Sequence, residues 1–294
     1  NNKAVTVSYT GTRYLTSNTT NGPKQVVSES NIQVGSNGKA IVTLTEEGIY
    51  HLEFTSRMAS GKESDGSIST VVKIDKTLPS LNSFVSRLAD GTNYTANTWT
   101  SQNITLRDFN GSDSLSGIGG YEYTDQCSVA NSWKKVTSLT ISTDQNKTYC
   151  FRSYDNAGLK SLALTMVAKI DKTPPSFTTL TISDVDGNGS YHNVWRNETL
   201  RLNFGSSDSG SGVAGYERTT ISSTNAADIG NVQAYSASTT NTSGFGGERN
   251  ATFAIKVSDN AGNSTVRNIT MKIDKTAPTV VWRKCGNNDR GEGT

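Results

Sequence analysis

The chain has 294 residues, a formal net charge of +2, 33% hydrophobic and 18% charged residues. At about 100–150 residues per domain, this length predicts two or three domains. The near-neutral balance excludes the basic footprint of a nucleic-acid binder, and recurring aromatic and β-branched residues argue against disorder. No heptad composition points to a coiled coil, and no window approaches the ~18 apolar residues of a membrane span. With two histidines, His51 and His192, and three cysteines, Cys127, Cys150 and Cys285, little material exists for a zinc site. The chain begins at Asn1 with neither Met nor a signal sequence and reads as a segment of something longer.

In chain order, the first element with a clear pattern opens at Gly48, with Tyr50, Leu52 and Phe54 on one side of a strand. It leads to Ile74-Asp75-Lys76-Thr77-Leu78-Pro79, a string of the form Ile-Asp-Lys-Thr-x-Pro that recurs at Ile170–Pro175 and Ile273–Pro278. Four of the five prolines lie in these strings. Proline has no amide donor and a fixed φ, so each string is expected to end a strand and to form a short, stiff link between domains. Between the first two strings come Trp99, an alternating run with Ile104 and Leu106, Ser112-Asp-Ser-Leu-Ser-Gly-Ile118 and Gly120-Tyr121-Glu122. Then Tyr149, Phe151 and Ser153 alternate with Cys150, Arg152 and Tyr154, before Asp155-Asn-Ala-Gly158 and a last strand through Leu162, Leu164, Met166, Ala168 and Ile170. The next stretch repeats the order. It has Trp195, then Leu200, Leu202 and Phe204, then Ser207-Asp-Ser-Gly-Ser-Gly-Val213 and Gly215-Tyr216-Glu217. Phe253, Ile255 and Val257 follow, with Asp259-Asn-Ala-Gly262 behind them. Short strands with period two, separated by Gly- and Asn-rich turns and without a helical stripe, predict an all-β protein of sandwich domains. The expected domains are 1–75 (truncated or divergent, lacking the Trp and Ser-Gly-Ile markers), 76–171 and 172–274. A linker and the opening of a further repeat fill 275–294, with Val280, Val281 and Trp282 as its first strand.

The Asp259-Asn-Ala-Gly-Asn263 and Ile273-Asp-Lys-Thr-Ala-Pro278 strings, with the Ser-Gly-Ile/Val-x-Gly-Tyr segment, resemble the bacterial immunoglobulin-like repeats of large surface proteins. The resemblance implies tandem immunoglobulin-like β-sandwiches arranged end to end, outside the cell, on its surface or secreted. It implies a stalk, spacer or adhesion module without catalysis. Its partners would be a host or neighbouring-cell surface protein or a glycan, with no nucleic acid and no membrane contact in this segment. Such repeats also flank catalytic domains, so the rival reading is a carbohydrate-binding accessory region of a secreted hydrolase.

Asp113/Asp208, Glu122/Glu217 and Asp155/Asp259 recur in two units and read as turn caps or strand-surface residues rather than catalytic carboxylates. No nucleophile–base pair stands at a recognisable spacing. Asp184-Val-Asp186-Gly-Asn188-Gly189 matches the first half of an EF-hand loop, and hard oxygens at alternating positions suit Ca²⁺. Its twelfth position is Trp195 rather than Glu, so the choice lies between a non-EF calcium site at Asp184, Asp186 and Asn188 and a plain turn. A second calcium possibility places the ion at the linkers with Asp75, Asp171 and Asp274; no other cofactor is implied. Trp133 either stacks a sugar or packs under a hairpin. Cys127 and Cys150 fall on separate strands of one unit and form either a disulfide, as an extracellular location permits, or two free thiols. Cys285 has no partner and is expected to be free.

Overall fold

The computed structural model describes residues 5–16 and 24–281, and of Asn31 the backbone alone. Trp282 and Cys285 lie outside the described residues, and Val280 and Val281 carry no strand. Two compact units divide the chain between Ile170 and Asp171, and each is taken by itself. The described residues are all-β apart from one 3-10 turn, Ala226–Asp228. Among the described residues no helix is long and apolar enough to cross a membrane.

The first unit opens with four strands, β1 (Val5–Tyr14), β2 (Lys24–Gln33), β3 (Gly48–Met58) and β4 (Ile68–Ile74), in one antiparallel sheet of order β2-β1-β3-β4. Ile49, Tyr50 and Leu52 of β3 are buried. The described part of this first repeat has no second sheet, so it is a single layer rather than a sandwich.

The rest of the first unit is a β-sandwich. One sheet runs β10 (Leu139–Ile141), β7 (Ile104–Ser112), β5 (Ser80–Leu88). The other runs β6 (Trp99–Thr100), β12 (Leu164–Ile170), β11 (Gln145–Asp155), β8 (Ile118–Thr124), β9 (Lys134–Lys135). All pairings are antiparallel except that of β6 with β12, where Trp99 stands opposite Lys169. The core draws Leu81, Ile104, Leu106 and Ile141 from one sheet, and Tyr149, Phe151, Met166, Ala168 and Ile170 from the other. Alternation sends every second side chain of β11 and β12 inward, which is how a run of moderate hydrophobicity builds a dry core. Leu162, placed on this strand by the sequence, is 87% exposed. The strand starts only at Leu164, so Leu162 lies on the approach to the sheet, where no pleat directs it inward.

The second unit repeats the plan. β13 (Ser176–Asp184) pairs with β15 (Leu200–Ser207), and a five-stranded sheet has the order β14 (Trp195–Arg196), β19 (Ser264–Ile273), β18 (Arg249–Asp259), β16 (Val213–Ser223), β17 (Val232–Ser236). Again the Trp strand is the parallel one, with Trp195 opposite Lys272. Leu200, Leu202 and Phe204 meet Phe253, Ile255, Val257, Ile269 and Met271 across the core. The chain therefore contains tandem β-sandwiches of immunoglobulin-like type, each cored by the strands that the alternation marks.

Candidate metal centres

Each Ile-Asp-Lys-Thr-x-Pro string leaves the last strand of one sheet, and the first two enter the next repeat after five intervening residues, at Ser80 and at Ser176. The aspartate shapes the exit in all three copies. Asp75 Oδ1 accepts from the Thr77 amide at 3.0 Å, Asp171 Oδ1 from Thr173 at 3.0 Å and Asp274 Oδ1 from Thr276 at 2.9 Å. These are Asx turns, in which a short side chain replaces a backbone acceptor.

Two of these aspartates meet two further carboxylates each. In the first unit, Asp75 joins Asp113, from the loop after β7, and Asp155, at the end of β11. In the second unit, Asp171 joins Asp208 and Asp259 in the same way. Within each triad one carboxylate oxygen per residue lies within 4.8 Å of one on each of the others. Asp155, Asp171 and Asp259 are buried, at 2%, 1% and 3% exposure. The described ion pairs involve none of the six. Asp274 belongs to no such group among the described residues.

Local sequence explains how the triads form. Asp113 Oδ1 accepts from the amides of Leu115 and Gly117 (3.1 and 2.7 Å), which curls the Ser-Asp-Ser-Leu-Ser-Gly loop around it. Gly117 takes φ +75°, in the left-handed region that glycine enters without strain. The loop then delivers the Ser116 amide to Asp75 Oδ2 at 3.0 Å. Asp155 opens the Asp-Asn-Ala-Gly turn, accepting from the Leu159 amide at 2.8 Å. Asn156 Nδ2 ties that turn to the loop by donating to the carbonyls of Ser116 and Gly117. The second unit repeats these contacts with Ser211 on Asp171 (2.6 Å), Gly212 on Asp208 (2.6 Å) and Asn260 on Ser211 and Gly212. Burial pushes the Asp171 carboxyl up, but hydrogen bonds from Ser211 and Thr173 outweigh it and hold the group below the usual carboxylate range. Three carboxylates at this spacing repel one another by a few kcal/mol per pair at an effective dielectric of ~20. The arrangement can lower that energy by holding protons or by holding a cation of the hard, oxygen-seeking kind.

The string Asp184–Asn188 folds differently from a calcium loop. Asp184 Oδ1 accepts from the amides of Asp186 and Asn188 (3.0 and 2.7 Å), while Asp186 and Asn188 are themselves exposed. The backbone pattern there, with the Asp184 amide on the Asn188 carbonyl and the Gly187 amide on the Asp184 carbonyl, is also that of Asp155–Leu159 and Asp259–Asn263. The spacing that matches an EF-hand is thus shared by a five-residue hairpin turn. A cation there would have to share Asp184 with two turn amides.

Trp133 is half-buried, and the Arg152 guanidinium sits 3.9 Å from its ring centroid, covering one face. Arg152 is held by Glu122 at 2.9 Å, which also pairs with Lys160 at 3.3 Å. The ring is therefore part of a cation–π and ion-pair ladder across β9, β8 and β11. Cys127 and Cys150 are joined in a disulfide with a Cα–Cα distance of 5.6 Å. His51 makes an edge contact with Tyr14, and His192 Nδ1 accepts from the Thr270 amide, so each histidine has a local packing or hydrogen-bonding role.

No protein-family model matches the sequence, and no curated protein matches it. Among solved structures the chain is similar to the FN1–FN3 domains of chicken CNTN1, at 10% identity and a TM-score of 0.30, over 92% of this chain and 90% of that one.

Proposed function

We propose that this chain is a non-catalytic segment of a bacterial cell-surface protein, in which tandem immunoglobulin-like sandwiches act as an extended spacer or adhesion module outside the cell. The observation that carries this reading is the link itself. Five residues, ending in proline, separate the last strand of one repeat from the first strand of the next, and the same Asx turn stiffens each exit. A link that short and restricted leaves neighbouring repeats little freedom to fold back on one another. The acidic residues that come together recur copy for copy, as a structural device does and a single active site does not. The Cys127–Cys150 disulfide fits an oxidising compartment. The covered face of Trp133 counts against a sugar platform at that residue.

Small-angle X-ray scattering of the whole chain tests the spacer reading. Repeats of roughly 35–40 Å placed in line reach about 110 Å and give a radius of gyration near ~32 Å. A compact globule of this length has ~19 Å. A measured value near the smaller figure removes the spacer and favours repeats that pack side by side.

A further inference from the structure

The two carboxylate triads share a backbone plan but not a state of satisfaction. In the first, Asp113 Oδ2 and Asp155 Oδ2 are buried and have no hydrogen-bond donor. Asp155 is 2% exposed, so water cannot serve it from bulk. In the second, the equivalent of Asp155 Oδ2 is supplied. Asp259 Oδ2 accepts from the Asn263 side-chain amide at 2.8 Å, and the same Nδ2 reaches the Asp171 carbonyl at 2.9 Å. The residue at the Asn263 position in the first unit is Leu159, which has no donor to offer.

A second difference lies in the loop. Leu115 stands where the second unit has Gly210. A Cβ at Gly210 would come within 2.5 Å of the Asp171 carboxyl carbon, so the loop there closes directly onto the aspartate. The Ser211 amide is correspondingly nearer its aspartate, at 2.6 Å, than Ser116 is to Asp75, at 3.0 Å. The second triad is thus neutralised in part by amide donors and packed shut. The first keeps two buried oxygens without a partner beside a third carboxylate.

Leaving buried carboxylate oxygens unpaired costs more than the usual ~1–3 kcal/mol of an unmet polar group, because the group carries charge. The spacing names a remedy. Oxygens on opposite sides of a calcium ion, at ~2.3–2.6 Å each, stand ~4.6–5.2 Å apart. The triad oxygens lie within 4.8 Å of one another. Turn amides fix the orientation of all three carboxylates, which suits the irregular shell that calcium accepts better than the near-ideal octahedron at ~2.0–2.1 Å that magnesium demands.

We propose that Asp75, Asp113 and Asp155 form a calcium-type divalent-cation site. The triad of Asp171, Asp208 and Asp259, closed by the Asn263 amide, binds the same ion at least tenfold more weakly. An ion in the first site fastens the linker aspartate to two loops of the sandwich that follows it. The site is independent of the spacer reading, since scattering can fail to show a rod while calcium still binds.

The test is isothermal titration of Ca²⁺ into the whole chain after dialysis against chelator, with Mg²⁺ as the control ion. The expected isotherm shows one tight ion, with a second class at least tenfold weaker. Asp155→Asn is expected to abolish the tight class and spare the weak one, and Leu159→Asn to weaken the tight class about tenfold. Asn263→Leu is expected to strengthen the weak class severalfold. Circular dichroism identifies any variant that fails to fold, and the wild-type isotherm and Asn263→Leu decide the matter without Asp155→Asn. Absence of heat at millimolar Ca²⁺ overturns the site. Two equal classes, or a tight class that survives in folded Asp155→Asn, overturn the assignment to the first triad. Equal binding of Mg²⁺ overturns the calcium selectivity.

Discussion

Replacing Phe151 with alanine is expected to destabilise the sandwich that contains it by about 3–5 kcal/mol, the cost of a large aromatic deleted from a well-packed site. Phe151 is fully buried at 0% exposure in the middle of β11. Its ring lies 4.9 Å from Phe84 and 5.6 Å from Phe109, centroid to centroid, on the opposite sheet, and 6.4 Å from Tyr123 on its own. One side chain therefore contacts both layers, and its removal opens a cavity that neither sheet can collapse to fill. For a domain of this size each kcal/mol moves Tm by ~4–8 °C, so the loss is expected as a shift of at least ~12 °C in calorimetry. A shift of only a few degrees would mean that this cluster is not the core. Ile255, fully buried in β18, is the equivalent position in the second unit, and its replacement with alanine is expected to cost about 2–5 kcal/mol.

Loss of the Cys127–Cys150 disulfide is expected to cost the same sandwich about 3 kcal/mol, from the entropy returned to the unfolded chain when a loop of this length is released. The bond closes a separation of 23 residues and ties the loop after β8 to β11, one residue from Phe151. Comparing wild type with Cys127→Ser/Cys150→Ser in denaturant should show a lower midpoint with little change in slope beyond the expansion of the unfolded state. Under denaturing, non-reducing conditions the wild-type chain should titrate one thiol, from Cys285. Three titrated thiols would show that the bond is absent in solution.

Much of the fold was readable because alternation and punctuation agreed. Phe253, Ile255 and Val257 point inward as their period-two spacing requires, and each Ile-Asp-Lys-Thr string closes a strand as its proline demands. Two features were not readable. The described part of the first repeat is a single sheet, and β1 carries half-buried residues at every position but Thr10, with no clean alternation. The carboxylate triads draw one aspartate from each of three strings that are distant in sequence, and each string alone reads as a turn. Recurrence itself misdirects here: it reads Asp113 and Asp155 as turn caps, and both do accept turn amides, while hiding that such caps meet in a carboxylate triad. In the sequence the linker aspartates Asp75, Asp171 and Asp274 read as ion contributors and Asp113, Asp155, Asp208 and Asp259 as turn caps; the structure joins the two sets, leaving Asp274 outside any triad among the described residues. Asp184, Asp186 and Asn188 drew attention through an EF-hand spacing that an ordinary hairpin turn also satisfies. The inequality of the triads rests on Leu159 against Asn263 and Leu115 against Gly210. Those differences acquire meaning only when the unpaired Asp155 Oδ2 is seen.

The most direct measurement is a crystal structure of the chain grown in calcium, with anomalous data collected to identify the metal. The expected result is an anomalous peak enclosed by Asp75, Asp113 and Asp155, with carboxylate oxygens at the ~2.3–2.6 Å typical of calcium. A weaker peak, or none, is expected at Asp171, Asp208 and Asp259. A first triad that holds only water, or whose carboxylates pair through shared protons at calcium concentrations in the millimolar range, would contradict the metal centre.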